Sequence, residues 1–305
     1  TLADAVTWVA RALPNRPPVP VLAGLLIEAD DNGTLHLSGF DYEVSAKVEV
    51  NAEVSDPGTA LVSGRLLAEI CRSLPGKPVD VVTDGTKVAL TCGASRFTLL
   101  TMPVDEYPTL PAMPENTGMV AGDVLTEAVG QVTVAASRDE TLPILTGVRL
   151  EIEGDTLTLM ATDRYRLAMR TLTWRPSSPG ASSIALVRAR TLAEVAKALG
   201  SADEVSLALS TGGATELIGF TANGRRTTSL LVDGDYPKVR ALFPESLLTH
   251  AVVETQSLIE AVRRVALVAE RNTPVRLTFT EGLITLEAGQ GEDAQASEAV
   301  ESSLV

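Results

Sequence analysis

Cysteine and histidine are scarce, with two of each among 305 residues: Cys71, Cys92, His36 and His250. Two cysteines make a poor disulfide framework for so long a chain, and no Cys or His lies at metal-ligand spacing from either histidine. Aromatics contribute only 4% of the residues, so the core must be built from Leu, Val, Ile and Ala. No run approaches the ~18 apolar residues of a membrane span, and the start of the chain lacks the basic-then-apolar order of a signal peptide. The longest early apolar stretch, Val19 to Ile27, is broken by Pro20 and Gly24. No phosphate-cradling glycine motif precedes a helix. Asp30-Asp31 and Glu292-Asp293 read as turn and loop carboxylates rather than a paired acid and base. Asn32-Gly33-Thr34 reads as a hairpin turn rather than a glycosylation site. These absences predict a cytosolic chain with reduced thiols, no metal, no cofactor and no catalytic constellation.

What is present is 45% hydrophobic and 21% charged, enough to bury a substantial core and incompatible with wholesale disorder. The formal charge of −14 argues, taken whole, against a nucleic-acid binder. That average conceals a repeat. Leu2, Ala5, Val6, Val9 recur as Leu125, Ala128, Val129, Val132 and as Leu258, Ala261, Val262, Val265. This i, i+3, i+4, i+7 spacing marks one buried helix face. Each helix is followed by alternating strands around Gly and Asp turns, such as Thr34-Leu35-His36-Leu37 and Thr156-Leu157-Thr158-Leu159. A second helical pattern, Leu66 to Cys71, recurs at Thr191 to Ala196, and Asp105-Glu106-Tyr107-Pro108 recurs at Gly234-Asp235-Tyr236-Pro237. The expected fold is therefore α+β. Half-domain units, each a helix with about three strands, lie near 1–55, 56–115, 116–178, 179–246 and 247–305. They group as domains 1–115, 116–246 and 247–305. Strand-like Met119-Val120-Ala121 and Ala251-Val252-Val253 precede the second and third helices, and no counterpart precedes the first.

This pattern resembles the β subunit sliding clamps of bacterial DNA polymerase III, over essentially the whole chain. Ala161-Thr162-Asp163-Arg164-Tyr165-Arg166-Leu167-Ala168 is similar to the family's Ala-Thr-Asp-x-x-Arg-Leu-Ala segment. The paired Tyr-Pro segments and Ser95-Arg96-Phe97 add to the likeness. The resemblance implies three clamp domains, with the first strand of domain one and the second half of domain three outside this sequence. It further implies a head-to-tail homodimeric ring with helices lining the hole, which encircles duplex DNA and tethers polymerase, clamp loader and repair proteins through short peptides.

Under that resemblance the charge acquires a pattern. The expected helices and their edges (2–16, 64–74, 125–138, 188–199, 258–271) hold eleven basic and six acidic residues, so they carry +5 and the rest of the chain −19. A positive lining with an acidic exterior suits sequence-independent phosphate contact. The expected DNA-facing residues are Arg16, Arg65, Arg72, Arg138, Arg188, Arg190, Lys197, Arg263, Arg264 and Arg271, with Arg16, Arg138 and Arg271 at corresponding loop positions. Ordinary solvated helix faces are the alternative. Carried over by position, the peptide pocket comprises Leu145, Thr162, Arg164, Tyr165, Arg166, Leu167, Pro237, Arg240 and Leu242. Ring closure is expected to pair Arg96 to Thr101 with a strand near Glu298 to Leu304 of a second subunit, Phe97 and Leu99 packing on the partner's Leu267 and Val268. A surface adhesin and an enzyme with a site at domain junctions are the competing readings.

Overall fold

The computed structural model describes residues 1–210, 216–244, 246–247, 249–270, 273–289 and 294–304. Its contacts divide into two units, Thr1–Pro237 and Lys238–Val305. The first unit contains two copies of the repeat. Copy one runs α1 (Leu2–Ala10), β1 (Gly24–Ala29), β2 (Thr34–Phe40), β3 (Val44–Asn51), β4 (Gly58–Ser63), α2 (Gly64–Ser73), β5 (Asp80–Asp84), β6 (Lys87–Cys92) and β7 (Ser95–Met102). Copy two runs β8 (Asn116–Ala121), α3 (Gly122–Thr133), β9 (Gly147–Glu153), β10 (Thr156–Thr162), β11 (Leu167–Thr173), a short β12 (Arg175–Pro176), β13 (Ser182–Arg188), α4 (Ala189–Leu199), β14 (Glu204–Ser210), β15 (Leu217–Ala222) and β16 (Arg225–Leu230). The second unit contains β17 (Ala251–Val253), α5 (Thr255–Val265), β18 (Arg276–Thr280), β19 (Leu283–Ala288) and β20 (Ala296–Leu304).

The helices differ at their ends from the sequence expectation. α1 stops at Ala10 with Arg11 as its C-cap, because Pro14, Pro17 and Pro18 follow and cannot continue a helix. α3 and α5 begin three residues early, directly off their preceding strands; at α5 the Glu254 carboxylate caps the amides of Gln256 and Ser257. Strands β4 and β13, which lead into the second helices, were not anticipated. Each described half-domain after the first is thus a strand, a helix and three strands.

Burial follows the repeat. In copy two the stripe Leu125, Ala128, Val129 and Val132 packs with Leu192, Val195 and Leu199 of α4 against inward residues of the sheets, among them Leu157, Leu159 and Phe220. Copy one repeats this with Val6 and Val9 against Leu37, Leu67 and Leu90. Gly118 allows β8 to pass under Trp174, since a Cβ there would stand 2.4 Å from the indole ring.

The two copies share one twelve-stranded sheet, in the order β12-β8-β14-β15-β16-β3-β2-β1-β4-β7-β6-β5. Its seam is the antiparallel pairing of β16 with β3, in register Arg225↔Val48, Arg226↔Lys47 and Thr227↔Ala46. The buried hydroxyls of Ser45 and Thr228 meet across it at 2.5 Å. Arg188 to Glu43 (2.8 Å) and Arg226 to Glu49 (3.3 Å) add ion pairs between the copies. Strands β9, β10, β11 and β13 form a separate four-stranded sheet with β11 at its edge. In the second unit a four-stranded sheet runs β17-β20-β19-β18, packed on Ala261 and Val265 of α5.

Candidate functional site

Three surfaces hold the candidate residues, and the internal repeat provides a control for each. The first is the set of exposed helix faces. As the helices are bounded in the structure they contain six basic and six acidic residues, so their own charge is zero. The basic excess counted from sequence over helices and edges together lies at caps and following loops. Arg11 caps α1, Arg188 precedes α4, and Arg16 and Arg138 occupy exposed loops after α1 and α3. Arg72, Lys197, Arg263 and Arg264 fall in last helical turns, where a cation also complements the helix dipole.

Several of these cations are engaged within the chain. Arg65 donates to Pro14 O and Asn15 Oδ1, Arg188 pairs with Glu43, and Arg264 forms a two-pronged pair with Glu298 plus a 3.8 Å contact to Glu260. Arg190 and Arg263 are exposed. Arg271 lies outside the described residues. Arg11, Arg72, Lys197 and Arg225 converge on one cleft beside Trp8. Arg225 was not singled out from sequence: it begins a strand, 217 positions from Trp8, and only the fold joins them.

The second surface is the loop between β10 and β11. Arg164 has a left-handed backbone, φ +80°, a conformation that strains any residue bearing a Cβ. Its neighbours hold it there. Asp163 Oδ1 accepts from the amides of Tyr165 and Arg166, both at 3.0 Å, and Oδ2 accepts from Arg166 Nε at 2.9 Å. Thr162 Oγ1 donates to Arg166 O and accepts from Arg164 N. Burial raises the Asp163 pKa, but the bonds from Arg166 and from the Arg166 and Tyr165 amides outweigh it and leave the group below its ordinary 3.8. Copy one contains the same device: Tyr42 has φ +74°, and Asp41 Oδ1 accepts from Glu43 N at 2.9 Å and Val44 N at 2.6 Å. The loop's shape therefore belongs to the scaffold, and only its side chains are particular to copy two.

Those side chains are open. Tyr165 is 90% exposed, Arg164 and Arg166 beside it in the loop are exposed as well, and Leu145 and Thr162 are buried. Leu167 is half-buried and Pro237 exposed. Arg240 and Leu242 form a single 3-10 turn in the second unit, with Leu242 exposed. A further repeated tyrosine anchors each linker. Tyr236 is buried with its hydroxyl toward the backbone of Thr162, and Tyr107 approaches Phe40 in the same way; neither closes a hydrogen bond of standard geometry. Burial pushes both phenols up to about 12.

The third surface is strand edges. Between β7 and β4 only Leu61↔Met102 and Val62↔Thr101 pair, so most of the β7 edge opposite β6 is unpaired. Phe97 is half-buried against the core of copy one, and Leu99 is 3% exposed within it. The outward side chain is Leu100, at 70%. Burial of Leu99 corrects the sequence expectation: alternation along β7 turns it inward, so it can meet another chain only through its backbone. In the second unit Leu267 is exposed and Val268 packs against the local core. Cys71 lies in the core of copy one, its thiol pushed up to about 11 by burial, and is a packing residue.

Two helix pairs backed by a shared twelve-stranded sheet, with a further strand–helix–strands copy in the second unit, have the makings of a DNA sliding clamp fold. Family models for the N-terminal, central and C-terminal domains of the DNA polymerase III beta subunit match residues 1–111, 119–238 and 240–305 in order. The chain belongs to the DNA polymerase III beta subunit family, the bacterial sliding clamps that act as processivity factors. It is 60% identical over 304 residues to the beta sliding clamp of Streptomyces coelicolor, covering 99% of this chain and 81% of that one. The beta sliding clamp of Micrococcus luteus is 57% identical over 303 residues, covering 99% and 97%. The griselimycin-bound sliding clamp of Pseudomonas aeruginosa matches at a TM-score of 0.89 with 30% identity, covering 100% of this chain and 82% of that structure.

Proposed function

We propose that this chain assembles head-to-tail with a second copy into a ring that encircles duplex DNA without reading its sequence, and that it tethers other proteins through the Thr162–Leu167 loop. It acts in the cytoplasm as a non-catalytic partner of the replicative polymerase. The observation that carries the reading is the β3–β16 seam. A clamp ring needs a joint in which the last strand of one domain pairs with the third strand of the next, and this chain builds that joint internally. Strand β7 is the repeat counterpart of β16, and β20 the counterpart of β3, and both have unpaired edge positions. Superposing the repeats transfers the register: Ser95 would oppose Glu298, Arg96 Ser297 and Phe97 Ala296 of the partner. This moves the paired stretch toward residues 294–298, earlier than the sequence suggested.

Phosphate attraction is independent of base sequence and permits sliding, so cations at helix ends suffice once the ring supplies the topological link. The proposed peptide site comprises Leu145, Thr162, Arg164, Tyr165, Arg166, Leu167 and Pro237. An exposed aromatic between two guanidiniums over an apolar floor suits a short extended segment with apolar and acidic or carboxylate groups. The division at 115 and 246 is the domain reading these repeats support.

The test is topological. The purified full-length protein, loaded on nicked circular DNA, should be retained through gel filtration and released on linearisation. Equal release from circular and linear DNA would overturn the ring. Loss of binding to a clamp-binding peptide on Tyr165→Ala with Arg166→Ala, with circular-DNA retention intact, would support the tether separately.

A further inference from the structure

The cleft beside Trp8 has a volume of about 700 Å³ and opens between copies one and two, within the first unit. Four elements contribute its cations: Arg11 from the end of α1, Arg72 from α2, Lys197 from α4 and Arg225 from β16. Among the described residues none of the four forms an ion pair. Arg72 uses Nε on Ala68 O, and Arg225 directs one amine to Ala198 O while its guanidinium lies 5.5 Å from the Trp8 ring centre. Of the two acids in the wall, Glu49 is matched by Arg226 at 3.3 Å and Asp4 by the Thr1 amine at 3.3 Å, with Arg225 a further electrostatic neighbour of Asp4. The repeat shows that this chemistry is not needed by the scaffold. The positions of Trp8 and Arg11 are Gln131 and Val134 in copy two, and Arg264 and Leu267 in copy three.

We propose that this cleft seats a backbone phosphate of the encircled duplex, gripped from both copies at once. Each protomer then holds DNA chiefly at this one junction rather than evenly around the lining. The inference rests on the DNA-encircling reading. Four unpaired cations in a concavity share a single anion more effectively than the same charges dispersed on open helix faces, because the cleft walls limit solvent screening. Arg225 lies on the Trp8 face, so an anion drawing on its guanidinium alters the indole environment.

The test uses the full-length dimer and a short linear duplex, reading the fluorescence that disappears in Trp8→Phe. Duplex should change this signal saturably. Arg11→Gln with Lys197→Gln should flatten the dependence of log affinity on log salt by about 0.9 for each phosphate no longer neutralised, about an eightfold weakening apiece at 0.1 M salt. An unchanged salt slope, or a silent Trp8 in a protein still retained on circular DNA, overturns the cleft and leaves the ring standing. Failure of circular-DNA retention in the unmodified protein sinks the ring instead. Inorganic tripolyphosphate is the second arm: a Trp8 response to it alone, with none to duplex, assigns the cleft to free polyphosphate and overturns the proposal. Should the double variant misfold by circular dichroism, the Trp8 titration of the unmodified protein decides.

Discussion

Replacing Asp163 by Ala, with Asp41→Ala as its partner experiment, asks whether the shape of the β10–β11 loop, the proposed peptide site, is scaffold or specialisation. Asp163 holds two backbone amides and the Arg166 side chain, and Asp41 holds two amides. Losing a carboxylate that collects two amides resembles losing a helix cap, so each variant should destabilise the protein by about 1–2 kcal/mol. The Arg166 pair adds little, because the Arg166 side chain is 66% exposed and water replaces the pair; the excess for Asp163→Ala should stay below about 1 kcal/mol. Urea denaturation of both variants gives these numbers, and fluorescence polarisation of a labelled clamp-binding peptide gives the functional half. Peptide affinity should fall in Asp163→Ala and remain in Asp41→Ala. The Asp163 carboxyl is held below its ordinary 3.8, so its contribution is present above that value and lost as acid protonates it in the folded state. The gap between unmodified protein and Asp163→Ala should accordingly narrow below pH 4. A neutral Asp41→Ala, or a difference between the two above about 2 kcal/mol, would refute the shared-scaffold reasoning.

Three other outcomes are expected. Tyr107 and Tyr236 are stabilised as neutral phenols, with folded pKa values of about 12 against an ordinary 10, so stability is full below pH 10 and declines between pH 10 and 12. Phe at both positions should remove that decline at no more than ~1 kcal/mol of neutral-pH stability, since neither hydroxyl closes a full hydrogen bond; an unaltered alkaline midpoint contradicts this. Cysteines at Arg96 and Ser297 should oxidise to a covalent dimer on a non-reducing gel, while Arg96→Cys with Glu301→Cys should not, the native Cys71 and Cys92 being buried. Gly118→Ala places a Cβ 2.4 Å from the Trp174 ring and should lower stability by about 1–3 kcal/mol in thermal unfolding; an unchanged melting temperature would mean β8 is free to shift.

The helices were legible because three copies of one apolar stripe reinforce each other, and the hairpins because Gly33, Gly154 and Gly282 mark their turns with positive φ. The strands ahead of the second helices were not, since Ala60-Leu61-Val62 and Ala185-Leu186-Val187 are short apolar runs without alternation. The placement of Arg16 and Arg138 in loops just past their helices was legible, whereas the earlier starts of α3 and α5 were not. The left-handed turn of the β10–β11 loop was not legible, because Tyr42 and Arg164 occupy positions where glycine would have given the signal. Pairs such as Arg188–Glu43 and Arg225–Trp8 join residues far apart in the chain and have no local signature.

The seam between β3 and β16 has a mechanical corollary. Its two sides belong to one polypeptide, so if that zipper parts, the chain running from Met102 to Asn116 keeps the halves together and lets them rejoin. In the proposed ring the matching zipper between protomers would have no such leash. A gate for DNA would then fall where strand pairing alone resists separation, at the joint without a covalent connection.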